Sequence, residues 1–303
     1  MKQEIKYPLA KETINDADVD ALCSWLKSYP RLTKGQLTWD VERDWADYIG
    51  TKYAVFNNSG SSANLLMIAA AHQCGLIPNK KVVVPSVGWV TTISPIMQLG
   101  LQPIMCGADT KTFGIDLDQL EEICKAENPD AVVFVQVLGV PHHKERLLSL
   151  KKKYGFALLE DACAALGARY EDGSMVGTVG DMSSFSFYFG HQLSTIEGGM
   201  VNVNDKALYD MLLMLRSHGW AKDLDAETYD EMMKERGIDG FHSPFTFFVP
   251  GYNLRSTDLQ AFLGIRQIKK ADWAATQRNK NHLLYAEKLR GYVEFQEWGN
   301  DFP

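Results

Sequence analysis

Residues 131–161 read AVVFVQVLGVPHHKERLLSLKKKYGFALLED. The segment opens with an apolar run, Ala131–Val137, that lacks the alternation of a strand wetted on one face. A helical pattern follows over Lys144–Lys153 and ends near Gly155. A second apolar strand, Phe156–Leu159, then terminates in Glu160-Asp161. Strand, helix and strand in this order indicate a parallel pair inside a sheet covered on both faces.

The same grammar continues on either side. Helical patterns at Asp16–Ser28, Trp39–Tyr48, Ser61–Ala71, Thr91–Leu99 and Leu117–Lys125 alternate with apolar strands at Tyr53–Phe56, Val82–Val84 and Leu101–Met105. Strands Ser183–Tyr188 and Met200–Val203 complete the series. The fold class is therefore α/β with a mostly parallel central sheet. Past Gly251 the texture changes to one long helical pattern, Thr257 to about Arg290, with Leu259, Phe262, Leu263 and Ile265 on a shared stripe. Residues 1–250 are expected to form a large domain, and 251–303 the start of a small carboxy-terminal domain that Pro303 cuts short.

Composition narrows the function classes. Apolar residues make up 46% and charged residues 23% of 303, the balance of a globular protein able to bury a sizeable core. A net charge of -7 argues against nucleic acid as partner, though not against a small phosphorylated ligand. The amino-terminal stretch MKQEIKYPLAKETINDADVD has no apolar signal segment, and no later run is long enough to span a membrane. The five cysteines (Cys23, Cys74, Cys106, Cys124 and Cys163) are scattered, as buried thiols in a reducing compartment are, and offer no zinc or iron–sulfur spacing. A cytoplasmic location is expected.

Three features carry chemistry. Asn58-Ser59-Gly60-Ser61-Ser62 runs from a strand into a helix, where free amides, the helix dipole and the hydroxyls of Ser61 and Ser62 suit a phosphate dianion, with Gly60 allowing close approach. An ordinary serine N-cap fits the same letters. Asp161 ends a strand on the edge where open parallel sheets bind ligands, and suits either a protonated pyridine nitrogen or a simple turn. Trp89, in Pro85-Ser86-Val87-Gly88-Trp89, suits either a plate for a flat ring or a core or interface position.

Together these pieces resemble, over nearly the whole chain, the DegT-type sugar aminotransferases, pyridoxal phosphate enzymes of the aspartate-aminotransferase-like three-layer fold. The resemblance rests on residues 58–64 and 85–89, Glu160-Asp161-Ala162-Cys163, Ser186 to His191, Glu197-Gly198-Gly199 and Gly251-Tyr252-Asn253-Leu254-Arg255. It implies that Gly60, Ser61, Ser62 and Ser186 hold the cofactor phosphate, that Trp89 lies against the ring and that Asp161 faces its nitrogen. It further implies a homodimer, with Asn253 reaching the phosphate of the neighbouring subunit.

Most members of that family place a Schiff-base lysine where this chain has His191. No lysine lies between Lys153 and Lys206 to take its place. An imidazole forms no stable imine, yet accepts and returns a proton near neutral pH. The phrase from Tyr188 to Met200 resembles the family's lysine-less 3-dehydratases. That implies pyridoxamine or pyridoxal phosphate held without covalent attachment, His191 as base, and GDP-4-keto-6-deoxymannose or a similar nucleotide-linked sugar losing its carbon-3 hydroxyl. Glutamate would recharge the cofactor. A non-covalent sugar-nucleotide aminotransferase and a non-catalytic relative are the competing readings.

Two departures from the family pattern stand out. Ala164 occupies a position where relatives contact the cofactor's phenolic oxygen, so another group or water must substitute. The other is the short carboxy terminus. His142-His143 reads as a solvated helix start. Arg216 to Trp220 reads as a helix end within reach of substrate or as a plain loop, and Arg255 as an anion ligand or a helix cap.

Overall fold

A computed structural model describes residues 10–297. Residues 1–9, quoted above for their lack of an apolar segment, and residues 298–303, with the stop at Pro303, lie outside the described residues. In chain order the elements are α1 (Asp16–Leu26), α2 (Gln36–Ile49), β1 (Tyr53–Asn57), α3 (Gly60–Gln73), β2 (Lys81–Pro85), α4 (Val90–Gln98), β3 (Gln102–Cys106) and α5 (Leu117–Glu127). Then come β4 (Ala131–Val135), α6 (Lys144–Tyr154), β5 (Ala157–Asp161), β6 (Met182–Ser186), β7 (Gly199–Val203), α7 (Lys206–Arg216), α8 (Ala226–Glu235), α9 (Asp258–Ile268) and α10 (Ala271–Lys288).

The strands form one seven-stranded sheet in the order β1-β7-β6-β5-β4-β2-β3. Its run from β6 through β3 is parallel, and β7 lies antiparallel to both β6 and β1. The apolar run of β4 shows why the strands do not alternate. Ala131 and Val133 enter the core on one face, and Val132 and Phe134 enter the core on the other. One face packs beneath α2, α9 and the rings of Trp45, Phe156 and Phe185. The other is covered by α3 and α7. Helix α3 is buried on every side over its apolar stretch, Leu66 to Ala71, and its polar first turn projects at the carboxyl edge of the sheet.

Several expectations need correction. The apolar run does not stay extended to Val137, because the chain turns into a short 3-10 segment, Val137–Gly139, with Leu138 and Gly139 at positive φ. The long helical pattern beyond Thr257 is two helices. They part at Lys269-Lys270, and the turn lets Lys270 reach α1, where its ammonium pairs with the buried Asp18 and donates 2.7 Å to the Thr13 carbonyl. His142 is not solvated. It fills the space left by the missing Cβ of Gly114, beside the Phe134 ring, and desolvation pushes its pKa down to about 4. Of the cysteines, all unpaired, Cys23 is exposed while Cys106 and Cys124 are buried. Helix α8 had no counterpart in the sequence reading.

Candidate active site

Four strand ends meet at one edge. The turn after β1 enters α3 with Ser59 as N-cap, its Oγ accepting from the Ser62 amide at 3.1 Å. The N-cap reading of these letters is thus present, and it uses one of the amides. Those of Gly60 and Ser61, at the positive end of the helix dipole, have no acceptor among the described residues. Ser61 Oγ donates to Thr91 Oγ1 at 2.9 Å, and Ser62 Oγ accepts from Ser59 Oγ at 3.0 Å. A Cβ on Gly60 would sit 2.5 Å from the Ser186 Cβ and 2.8 Å from its Oγ, so glycine is what lets the helix start press against the end of β6.

Asp161 ends β5 next to β6 and is buried. Its Oδ2 accepts from Asn64 Nδ2 at 2.8 Å and Thr92 Oγ1 at 2.7 Å, and its Oδ1 accepts from the Cys163 amide at 3.2 Å. Asn64 is itself fixed by Ser184 Oγ, which donates to Asn64 Oδ1 at 2.6 Å. Glu160, its neighbour in sequence, points to the other face of the strand. There it accepts from Gln136 Nε2 at 2.7 Å and the Gly177 amide at 2.9 Å, a structural role.

His191 lies in the turn after β6, where its amide donates 3.0 Å to the Tyr188 carbonyl. The imidazole is half-buried. Desolvation holds its pKa below the ordinary value, the Asp161 charge pulls the other way, and Arg278 of α10 adds to the lowering. A histidine in this state is neutral and able to take a proton near neutral pH.

The remaining sequence-derived residues sit at the periphery. Trp89 precedes α4 with its side chain 72% exposed. Asn253 is exposed, bridged to Ser217. Beside Ala164, Gln192 donates from Nε2 to the Ala164 carbonyl at 2.5 Å, and its Oε1 is buried without a partner among the described residues. Arg216 is not a substrate contact: it is fully buried, paired with Glu42 and, at 3.1 Å, with Asp223. Sequence reading gave no role to Asn64, Thr92, Gln192 or Arg278. For Asn64 a signal existed, an amide in an otherwise apolar helix one turn past Gly60. Thr92, Gln192 and Arg278 reach the site only through tertiary packing. Among the described residues no group of His, Cys, Asp and Glu is placed to hold a metal ion.

In class this is an aminotransferase-like α/β fold with its reactive groups gathered at the carboxyl edge of the sheet. The chain belongs to the DegT/DnrJ/EryC1/StrS aminotransferase family, whose pattern matches residues 13–300. It is 36% identical, over 97% of its length and 75% of the relative's, to a GDP-4-keto-6-deoxy-D-mannose 3-dehydratase of Yersinia pseudotuberculosis. Among solved structures it is similar to a GDP-4-keto-6-deoxymannose-3-dehydratase holding a trapped PLP-glutamate geminal diamine, with TM-score 0.84 and 32% identity, covering 94% of this chain and 74% of that one. It is also similar to a mutant of such an enzyme with bound GDP-perosamine, with TM-score 0.85 and 31% identity, covering 97% and 76%.

Proposed function

We propose that this chain is a pyridoxal/pyridoxamine-phosphate-dependent 3-dehydratase of a GDP-linked 4-keto-6-deoxy sugar, recharged by glutamate and working as a cytoplasmic homodimer in deoxysugar biosynthesis. The observation that carries the reading is His191. A half-buried imidazole under the influence of the Asp161 charge follows β6, with no lysine between residues 153 and 206.

The residues present fit the cofactor. The Gly60 and Ser61 amides and the hydroxyls of Ser61, Ser62 and Ser186 suit its phosphate. Asp161, anchored by Asn64 and Thr92, suits its ring nitrogen. Trp89 supplies an exposed ring to lie against it, and Asn253 an exposed amide for the phosphate of a neighbouring subunit. Bound here, the cofactor supplies an amine that joins the sugar carbonyl and a ring that takes up electrons. His191 accepts and returns the proton through a ring nitrogen, and being an imidazole it forms no stable imine with the cofactor. Gln192 holds its amide beside Ala164, where that side chain offers nothing polar. The division into a cofactor domain, residues 1–250, and a following part, 251–303, belongs to the same reading. Among the described residues no helix is long and apolar enough to cross a membrane.

The test is incubation with pyridoxamine phosphate, glutamate and GDP-4-keto-6-deoxymannose. Mass spectrometry is expected to show a deoxygenated sugar nucleotide, together with ammonia release. An amino sugar in its place selects an aminotransferase, and unchanged substrate selects a non-catalytic protein.

A further inference from the structure

The groups on a pyridoxamine phosphate ring come in a fixed order, so the residues that take some of them locate the rest. Asp161 is assigned to the ring nitrogen, His191 to the carbon bearing the amine, and the start of α3 to the phosphate arm. One polar atom is left without a partner. It is the phenolic oxygen, on the ring edge that runs from the nitrogen to the amine-bearing carbon.

One side chain joins the same two places in the protein. Gln192 directly follows His191, and its Nε2 donates at 2.5 Å to the carbonyl of Ala164, three residues past Asp161. Gln192 is 8% exposed, and its Oε1 is buried with no hydrogen-bond partner among the described residues. The amide cannot turn end for end, since Oε1 would then face the Ala164 carbonyl, acceptor against acceptor. A buried acceptor held in this way calls for a donor.

The ionisable groups around the site leave that acceptor free. The Asp161 oxygens accept from Asn64, Thr92 and the Cys163 amide. The Cys163 thiol, kept protonated by burial, lies 4.0 Å from Ser184 Oγ. Arg278 of α10 acts on His191 through its charge, and the His191 ring meets the edge of Tyr188.

We propose that Gln192 Oε1 accepts the hydrogen of the cofactor's phenolic hydroxyl and keeps that oxygen protonated, an inference that rests on the cofactor reading above. A carbonyl oxygen favours the O–H form and opposes the phenolate, whose negative charge it would face. With Asp161 holding a proton on the ring nitrogen and the oxygen neutral, the ring keeps its positive charge. It then draws electrons more strongly from the carbon where His191 removes a proton.

The test follows the absorbance of bound pyridoxamine phosphate against pH, because the hydroxyl and phenolate forms of such a ring absorb at different wavelengths. In Gln192→Met, similar in size but without the acceptor, the midpoint of this change is expected to fall by about one pH unit. Gln192→Glu, which again offers an acceptor, should bring it back. A thermal melt checks that the variants fold, and Gln192→Asn, which withdraws the acceptor by one methylene, replaces Gln192→Met if that variant does not. An equal midpoint in parent and Gln192→Met overturns the assignment. So does an unchanged spectrum with a displaced acid limb of kcat/KM, which gives Oε1 to His191 instead. If the parent binds no pyridoxamine phosphate, the cofactor reading falls and takes this one with it. Binding with identical spectra removes this one alone.

Discussion

Two histidines show how burial sorts side chains of one type into different roles. His191 is half-buried and senses Asp161. Replacing it, His191→Asn, is expected to lower product formation roughly a thousandfold, the scale of a lost general base, while pyridoxamine phosphate still binds by absorbance titration. The sign of its pKa shift fixes the pH profile. Burial favours the neutral base, so the acid limb of kcat/KM should fall below 6.5, the ordinary imidazole value. A limb above that value contradicts the assignment. His142 is buried without a hydrogen-bond partner for either ring nitrogen among the described residues. The unfolded chain takes up its proton near 6.5 and the folded one only near 4. Stability is therefore whole above the upper value and declines as pH falls through this window, by about 3 kcal/mol at its foot. In His142→Leu that part of the decline should vanish from urea titrations made across the window. The chemistry of His191 was legible from its place after Ser186. The burial of His142 was not, since the gap it fills belongs to Gly114, a distant residue whose contact no local pattern encodes.

Elements were legible wherever burial on both faces left a run of apolar letters, as in β4 and β5. Their ends were less so, because a strand's last residue is decided by its neighbour's register. Asp161 extends β5 by pairing with Val135 and Ser184. The pair Gly198-Gly199 was visible as a motif, and its reason is steric. A Cβ on Gly199 would fall 2.2 Å from the Ser59 carbonyl oxygen and 2.4 Å from its carbon, both backbone atoms. Glycine there lets β7 begin between Asn57 and Ser186, directly under the turn that starts α3. Gly199→Ala must push that turn aside. A loss of about 3 kcal/mol is expected in denaturant unfolding, with weakened pyridoxamine phosphate binding beyond it. Unaltered cofactor affinity in a folded Gly199→Ala protein would show that the turn does not hold the phosphate. Arg216 locks the same end of β1, donating 2.8 Å to the Phe56 carbonyl while Glu42 Oε1 accepts from the Phe56 amide at 2.8 Å. Arg216→Ala strands Glu42 as a buried charge, at a cost of roughly 3–5 kcal/mol.

At the scale of the molecule the question is how the last helices join the sheet. The texture change near Gly251 suggested a separate part. Yet α9 buries Ala261 in the core cluster that holds Trp45 and Phe134, and α10 adds Ala271 and Ala274 before its later residues emerge into solvent. The tie at the start of α9 is polar. Asp258 Oδ1 accepts from the Gly35 amide at 2.8 Å, the Thr38 amide at 3.0 Å and Thr38 Oγ1 at 2.8 Å, capping α2 from more than two hundred residues away. A cap on this scale of sequence separation is invisible locally, because the three donors and their acceptor share no motif. Asp258→Ala leaves those donors without their acceptor and is expected to cost about 3 kcal/mol. For a chain of this size that lowers the melting temperature by roughly 5 °C. If residues 258–274 fold as one unit with the sheet, tryptophan fluorescence and far-ultraviolet circular dichroism must shift together, in one transition. Two separate transitions in Asp258→Ala, the first losing only part of the helical signal while the buried Trp45 stays in a native environment, would mean that α9 and α10 unfold independently and that the sheet with α1 to α8 is stable without them.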